Sequence, residues 1–129
     1  MPTEVLKGLK IVLILQLVTW LVFGIFFTFF VQTFADWIDW PIVDPTAGRY
    51  IGVIFLSLAF ISFIAFREKD WEKIELFIIL DVILCITGGI IQLLGVFLDN
   101  TGWAGWLFFA IQMVFFVLVL YFYIQQQKK

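Results

Sequence analysis

The 129 residues carry a net charge of −2, and 64% are hydrophobic, 20% aromatic and 14% charged. A soluble chain this short buries only about two thirds of the surface it exposes when unfolded, so water is the wrong solvent for it. The near balance of charge gives no footprint for nucleic acid. One cysteine, Cys85, and no histidine exclude an intrachain disulfide, a CxxC pair, bis-imidazole haem, the usual zinc sites and Ser-His or Cys-His catalysis.

A spanning helix needs about 20 mostly apolar residues. Lipid offers the backbone no hydrogen-bond partner, so each apolar run is expected to be helical. The first covers about residues 9–31 and is interrupted only by Gln16, Thr19 and Thr28. Lys7 and Lys10 before it and Thr33-Phe34-Ala35 after it faintly resemble a signal peptide. Its apolar stretch exceeds the usual core of about 7–15 residues, which favours a retained helix. The loop over 32–49 contains Asp36-Trp37-Ile38-Asp39-Trp40-Pro41, an acidic, Trp-rich stretch expected to lie along the membrane interface.

The second run covers about 50–66, short for a span unless it borrows Ala47 and Gly48, and leads into the charged turn Arg67-Glu68-Lys69-Asp70-Trp71-Glu72-Lys73. Lys69 and Glu72 are spaced to pair at i,i+3, and the third helix is expected to begin near Asp70. Its apolar run covers 74–98, followed by the tight turn Asp99-Asn100-Thr101-Gly102 and a fourth run over 103–124. The expected fold is all-α: one four-helix integral membrane bundle over residues 1–129, with short loops.

Charge predicts its orientation. Lys7, Lys10, Arg67, Lys69, Lys73, Lys128 and Lys129 fall on one side of a four-span topology, against Arg49 alone among Asp36, Asp39, Asp44 and Asp99 on the other. The positive-inside rule puts both termini and the 67–73 turn in the cytoplasm and the loops at 32–49 and 99–102 outside, in the cell membrane if the source is prokaryotic. The aromatic belts agree. Trp37, Trp40, Tyr50, Trp103 and Trp106 mark the outer boundary, and Trp71, Tyr121 and Tyr123 the inner. Trp20 is mid-helix and is read as core packing.

Asp81 stands about two turns into the third helix, roughly 10 Å from its inner end at about 1.5 Å per residue. A charged aspartate in lipid costs at least a few kcal/mol, so it should face other helices or water. Asp81, Cys85, Gly88, Gln92 and Gly95 form a helical stripe of polar and small residues, while Ile79, Ile83, Ile86 and Ile90 cover much of the remainder. Gln16, Ser57, Ser62 and Gln112 offer partners on the other helices. In a structural reading a protonated Asp81 donates to Gln16 or a serine. In a functional reading the same residues form a proton- or cation-linked intramembrane site. Gly48 and Gly52 on the second helix, with Gly88 and Gly95 on the third, are expected to permit close helix packing. No catalytic residue, cofactor site or metal site is expected.

In its size, its four spans, the Asp44-Pro45-Thr46-Ala47-Gly48-Arg49 approach to the second helix and the short charged turn after Phe66, the chain resembles small membrane proteins of the DoxX-like kind. The resemblance covers the whole chain in outline and implies a four-helix membrane fold; it assigns no site residue. Small multidrug transporters are similar in size but carry an acidic residue in the first helix, where this chain has Gln16. The Gly-rich first helix and polar track of fluoride channels are not visible. Three functions follow as expectations: a non-enzymatic scaffold or accessory subunit; a small dimeric transporter or channel built around Asp81, Gln16 and Gln92; or an enzyme or binding protein for a lipid-like molecule, with the aromatic-rich interior as its pocket. The expected partners are membrane lipid and other membrane subunits or a second copy.

Overall fold

The computed structural model describes residues 3–41 and 44–129. Five helices follow in order: α1 (Lys7–Phe29), α2 (Val31–Trp37), α3 (Pro45–Arg67), α4 (Trp71–Leu98) and α5 (Gly102–Gln127). Of these, α1, α3, α4 and α5 are long and apolar enough to cross a membrane. Their outward faces carry large apolar side chains, with Leu76 79% and Phe97 70% exposed. Water does not tolerate contiguous surfaces of this kind.

The element bounds depart from the sequence expectation at three places. The first predicted run is divided: α1 stops at Phe29, Phe30 takes a non-helical conformation, and α2 turns back with Val31, Phe34 and Ala35 buried. The start of the stretch expected to lie along the interface is therefore folded against α1, with Trp37 on Phe26 (6.0 Å between centroids) and Ile38 buried. Ile42 and Val43, within the predicted 32–49 loop, lie outside the described residues. The second predicted run starts early, because Asp44 caps α3 by accepting from the Thr46 amide (2.9 Å) and Pro45 occupies the first turn. The fourth extends to Gln127. Asp70 caps α4, its carboxylate accepting from the Glu72 amide at 3.1 Å.

Two antiparallel hairpins, α1 with α3 and α4 with α5, are joined mainly through α1 and α5. At the α1–α3 crossing the backbones meet: a Cβ on Gly52 would lie 2.5 Å from the Thr28 nitrogen and 2.8 Å from the Phe27 carbonyl carbon. The α4–α5 contact is softer. A Cβ on Gly88 would meet the end of the Gln112 side chain at 3.0 Å, and one on Gly89 the end of Met113. Gly89 is the buried one of this pair, and Gly88 is only half-buried. Gly95 leaves ordinary space beneath Thr101, whose Cγ2 would be 3.5 Å away.

Residues 3–6, the 67–71 turn and the end of α5 gather at one end of the bundle, termed the terminal end; α2 and the Asp99–Gly102 turn define the opposite, loop end. At the terminal end the chain fastens to itself. Thr3–Val5 pairs antiparallel with Lys69–Trp71, the Val5 amide donating to the Lys69 carbonyl (3.2 Å) and the Trp71 amide to that of Thr3 (2.8 Å). Buried Gln126 locks this pairing, accepting from the Leu6 amide and donating to the Glu4 carbonyl, both at 2.9 Å. Within the turn, Lys73 pairs with Glu68 (3.8 Å) and Asp70 (4.0 Å), in place of the Lys69–Glu72 pair expected from spacing.

Candidate functional site

The interior has two polar features, stacked along the bundle. The lower is the cluster around Asp81. Gln16 on α1 and Asp81 on α4 are both buried, and the Gln16 amide Nε2 donates to Asp81 Oδ1 at 3.0 Å. Cys85, one turn above, donates from Sγ to the same oxygen at 3.7 Å. Here the amide donates to the carboxyl, the reverse of the direction expected from sequence. Two acceptors in the cluster, Asp81 Oδ2 and Gln16 Oε1, are buried without a partner among the described residues.

The other residues singled out in the sequence do not join this cluster. Ser62 is buried on α3 and makes no hydrogen bond to Asp81 among the described residues. Ser57 points outward, its hydroxyl donating to the Val53 carbonyl. Gln92 and Gln112 belong to the second feature, a cavity of about 520 Å³ in the loop-end half. Gly48 also lines it, while Gly52 serves the α1–α3 crossing.

The cavity has a definite construction. Its floor is Trp20, stacked on Phe55 at 5.2 Å with rings 14° apart and held from the side by Phe115 (5.7 Å). Phe23, Phe27 and Phe108 form walls, with Phe23 and Phe108 edge-to-face at 5.2 Å. Trp40, carried over from α2, leans on Phe108 at 5.4 Å. Asp44 and Asp99, both exposed, stand at the mouth. Thr101 is buried in the lining, and its hydroxyl has no partner among the described residues. Mainly apolar, aromatic-rich walls with a few convergent polar groups, in a volume within the range of about 300–1,000 Å³, are what a small-molecule site requires.

The α4 stripe ties the two features together. Asp81 and Cys85 lie in the cluster, Gly88 lies under Gln112, Gln92 is in the cavity wall, and Gly95 sits beneath Thr101. On α1, Gln16 is one turn below Trp20, so the cavity floor is the roof of the cluster. Below both, Leu9, Leu13, Ile78 and Val119 are completely buried and fill the terminal half. Sequence reasoning singled out the stripe and Trp20. It missed the Trp40 lid, the acidic mouth and Thr101, for which the only advance signal was the Asp and Trp content of the two loops. Among the described residues no group of acidic or cysteine side chains is arranged to hold a metal ion. No protein-family profile matches the chain, and no curated protein or solved structure is significantly similar to it.

Proposed function

We propose that the protein is a four-span membrane protein, with its terminal end cytoplasmic, that binds a small, predominantly apolar molecule in the loop-end cavity. The cavity is the observation that carries this reading: aromatic walls, few polar groups and a volume suited to a small ligand rather than to a peptide. The orientation rests on the lysines and arginines of residues 7–10, 67–73 and 128–129. In a Cys85→Ala background, cysteines placed at Asp39 and Lys128 should react with an impermeant reagent from opposite sides. Equal labelling from one side refutes the topology.

Binding is tested by native mass spectrometry after purification in mild detergent, on the wild type and on Ile111→Trp, whose indole would occupy the cavity. The wild type should retain a small apolar mass or take one up on titration with an alkylbenzene, and the filled variant should not. Equal uptake by both would place the ligand elsewhere. The scaffold or accessory-subunit role expected from the sequence has no structural feature of its own to support it beyond the apolar outer faces, which lipid equally satisfies.

A transport reading of the same site is favoured by one further observation: Asp81 Oδ2 and Gln16 Oε1 are buried without partners directly under the cavity floor. A proton or small cation entering there would supply what those acceptors lack. On this reading, ligand uptake is accompanied by a pH-dependent flux that Asp81→Asn abolishes while leaving the fold intact; flux unchanged in that variant rejects it.

A further inference from the structure

We propose that the occupant of the cavity is an amphiphilic organic cation, its ammonium group at the mouth between Asp44 and Asp99 and its apolar body against Trp40, Phe108 and Trp20. The inference rests on the binding reading above and adds the chemical class of the ligand.

Two observations carry it. First, the only ionisable side chains lining the cavity among the described residues are the two carboxylates, and neither forms an ion pair there. Second, Asp99 is badly placed for helix stability. It caps the C-terminus of α4, where the helix dipole already concentrates negative potential, and no basic residue stands in the last turn. A carboxylate that works against its own helix and faces a cavity is better explained by what enters the cavity than by the fold. The aromatic faces of Trp40 and Phe108 next to the acidic mouth add the quadrupole attraction that ammonium groups favour. Asp44 has a structural duty as the cap of α3, but that uses one of its oxygens. Arg49, the nearby cation in sequence, is not part of the lining.

The test compares three ligands of nearly identical shape on the intact protein in nonionic detergent at low salt: phenylbutyl-trimethylammonium, its uncharged isostere with carbon in place of nitrogen, and phenylbutane sulfonate. By titration calorimetry the cation should bind about tenfold more tightly than the neutral isostere, the expected sum of two partly exposed ion pairs. The sulfonate should bind most weakly, and the preference should shrink as salt is raised. In Asp44→Asn/Asp99→Asn the cation should fall to the level of the isostere measured on the same variant. Asparagine still caps a helix, and removing charge from the end of α4 should not weaken it, so this variant is expected to fold. Equal binding of cation and isostere by the wild type overturns the proposal but leaves the cavity reading standing. Failure of all three ligands to bind overturns both.

Discussion

The two halves of the bundle solve opposite problems. In the terminal half, Leu9, Leu13, Ile78 and Val119 fill the interior, and the chain is tied across its end by main-chain pairing and by Gln126. In the loop half, large aromatic rings line an open space and meet mainly one another. The difference lies in the side chains at the hairpin junction. Branched aliphatics interdigitate without gaps, whereas rings stacked and tilted around Trp20 leave a volume they cannot close. A closed half holds the helices in register while the other half stays open to a ligand.

The largest effect should come from the tightest backbone crossing in the loop half. Gly52→Leu would push a side chain into the backbone of α1 at Phe27 and Thr28. Neither helix can yield locally, so the loss should be about 3 kcal/mol or more, at the upper end of overpacking penalties. Gly88→Leu, facing a Gln112 side chain that can swing away, should cost clearly less, and outward-facing Ile83→Leu almost nothing. Thermal unfolding in detergent gives the order. If Gly52→Leu melts like Ile83→Leu, the crossing is not where the structure puts it.

At the closed end, Gln126→Ala would leave the Leu6 amide and the Glu4 carbonyl without their partner. Stranding such groups costs about 1–3 kcal/mol. Hydrogen exchange at Val5, Leu6 and Trp71 should accelerate together, while ligand binding in the loop half is unaffected. Weakened binding in that variant would break the separation of the halves.

The order of these effects also shows what the sequence made legible. The four long helices, the start of α4 at Asp70, the buried Trp20 and the whole stripe from Asp81 to Gly95 are local patterns of hydropathy, capping and helical period. They need no partner to be read. The cap and first-turn proline of α3, Asp44-Pro45, are equally visible, five residues ahead of the apolar run. The latch at the terminal end was not legible, because Leu6 and Gln126 are 120 residues apart and Gln126 sits in an ordinary polar tail. Nor was the cavity, since a void is a difference between the volumes of four helices and appears in none of them alone.

Between the halves, Asp81→Leu should leave the Gln16 amide unsatisfied and cost around 1 kcal/mol, as hydrogen bonds between membrane helices are usually weak. Asp81→Asn, which keeps shape and polarity, should melt close to wild type. A loss in Asp81→Leu as large as that in Gly52→Leu would mean that the cluster, and not the glycine crossing, fixes the bundle.

The smallest effect belongs to the exposed turn. Glu68 accepts from the amides of Lys69 (2.9 Å) and Asp70 (3.1 Å), and the second of these bonds, followed by the first, holds its carboxyl below its ordinary value of 4.5. A depressed folded-state value means that the stabilisation is complete above that pH and fades as pH falls through the folded value. Exchange of the Lys69 and Asp70 amides, corrected for intrinsic rates, should therefore rise at acid pH in the wild type and be high at all pH in Glu68→Ala. An acid-independent wild type would remove Glu68 from the account of the closed end.

The most direct measurement on the central claim is photo-affinity labelling of the membrane-embedded protein with a diazirine-bearing alkylbenzene, followed by peptide mapping. The account predicts saturable labelling at Phe27, Phe108 and Gln112, competed away by excess unlabelled compound. Labelling confined to outward-facing residues such as Leu76, Leu94 and Phe97, and insensitive to competitor, would contradict it.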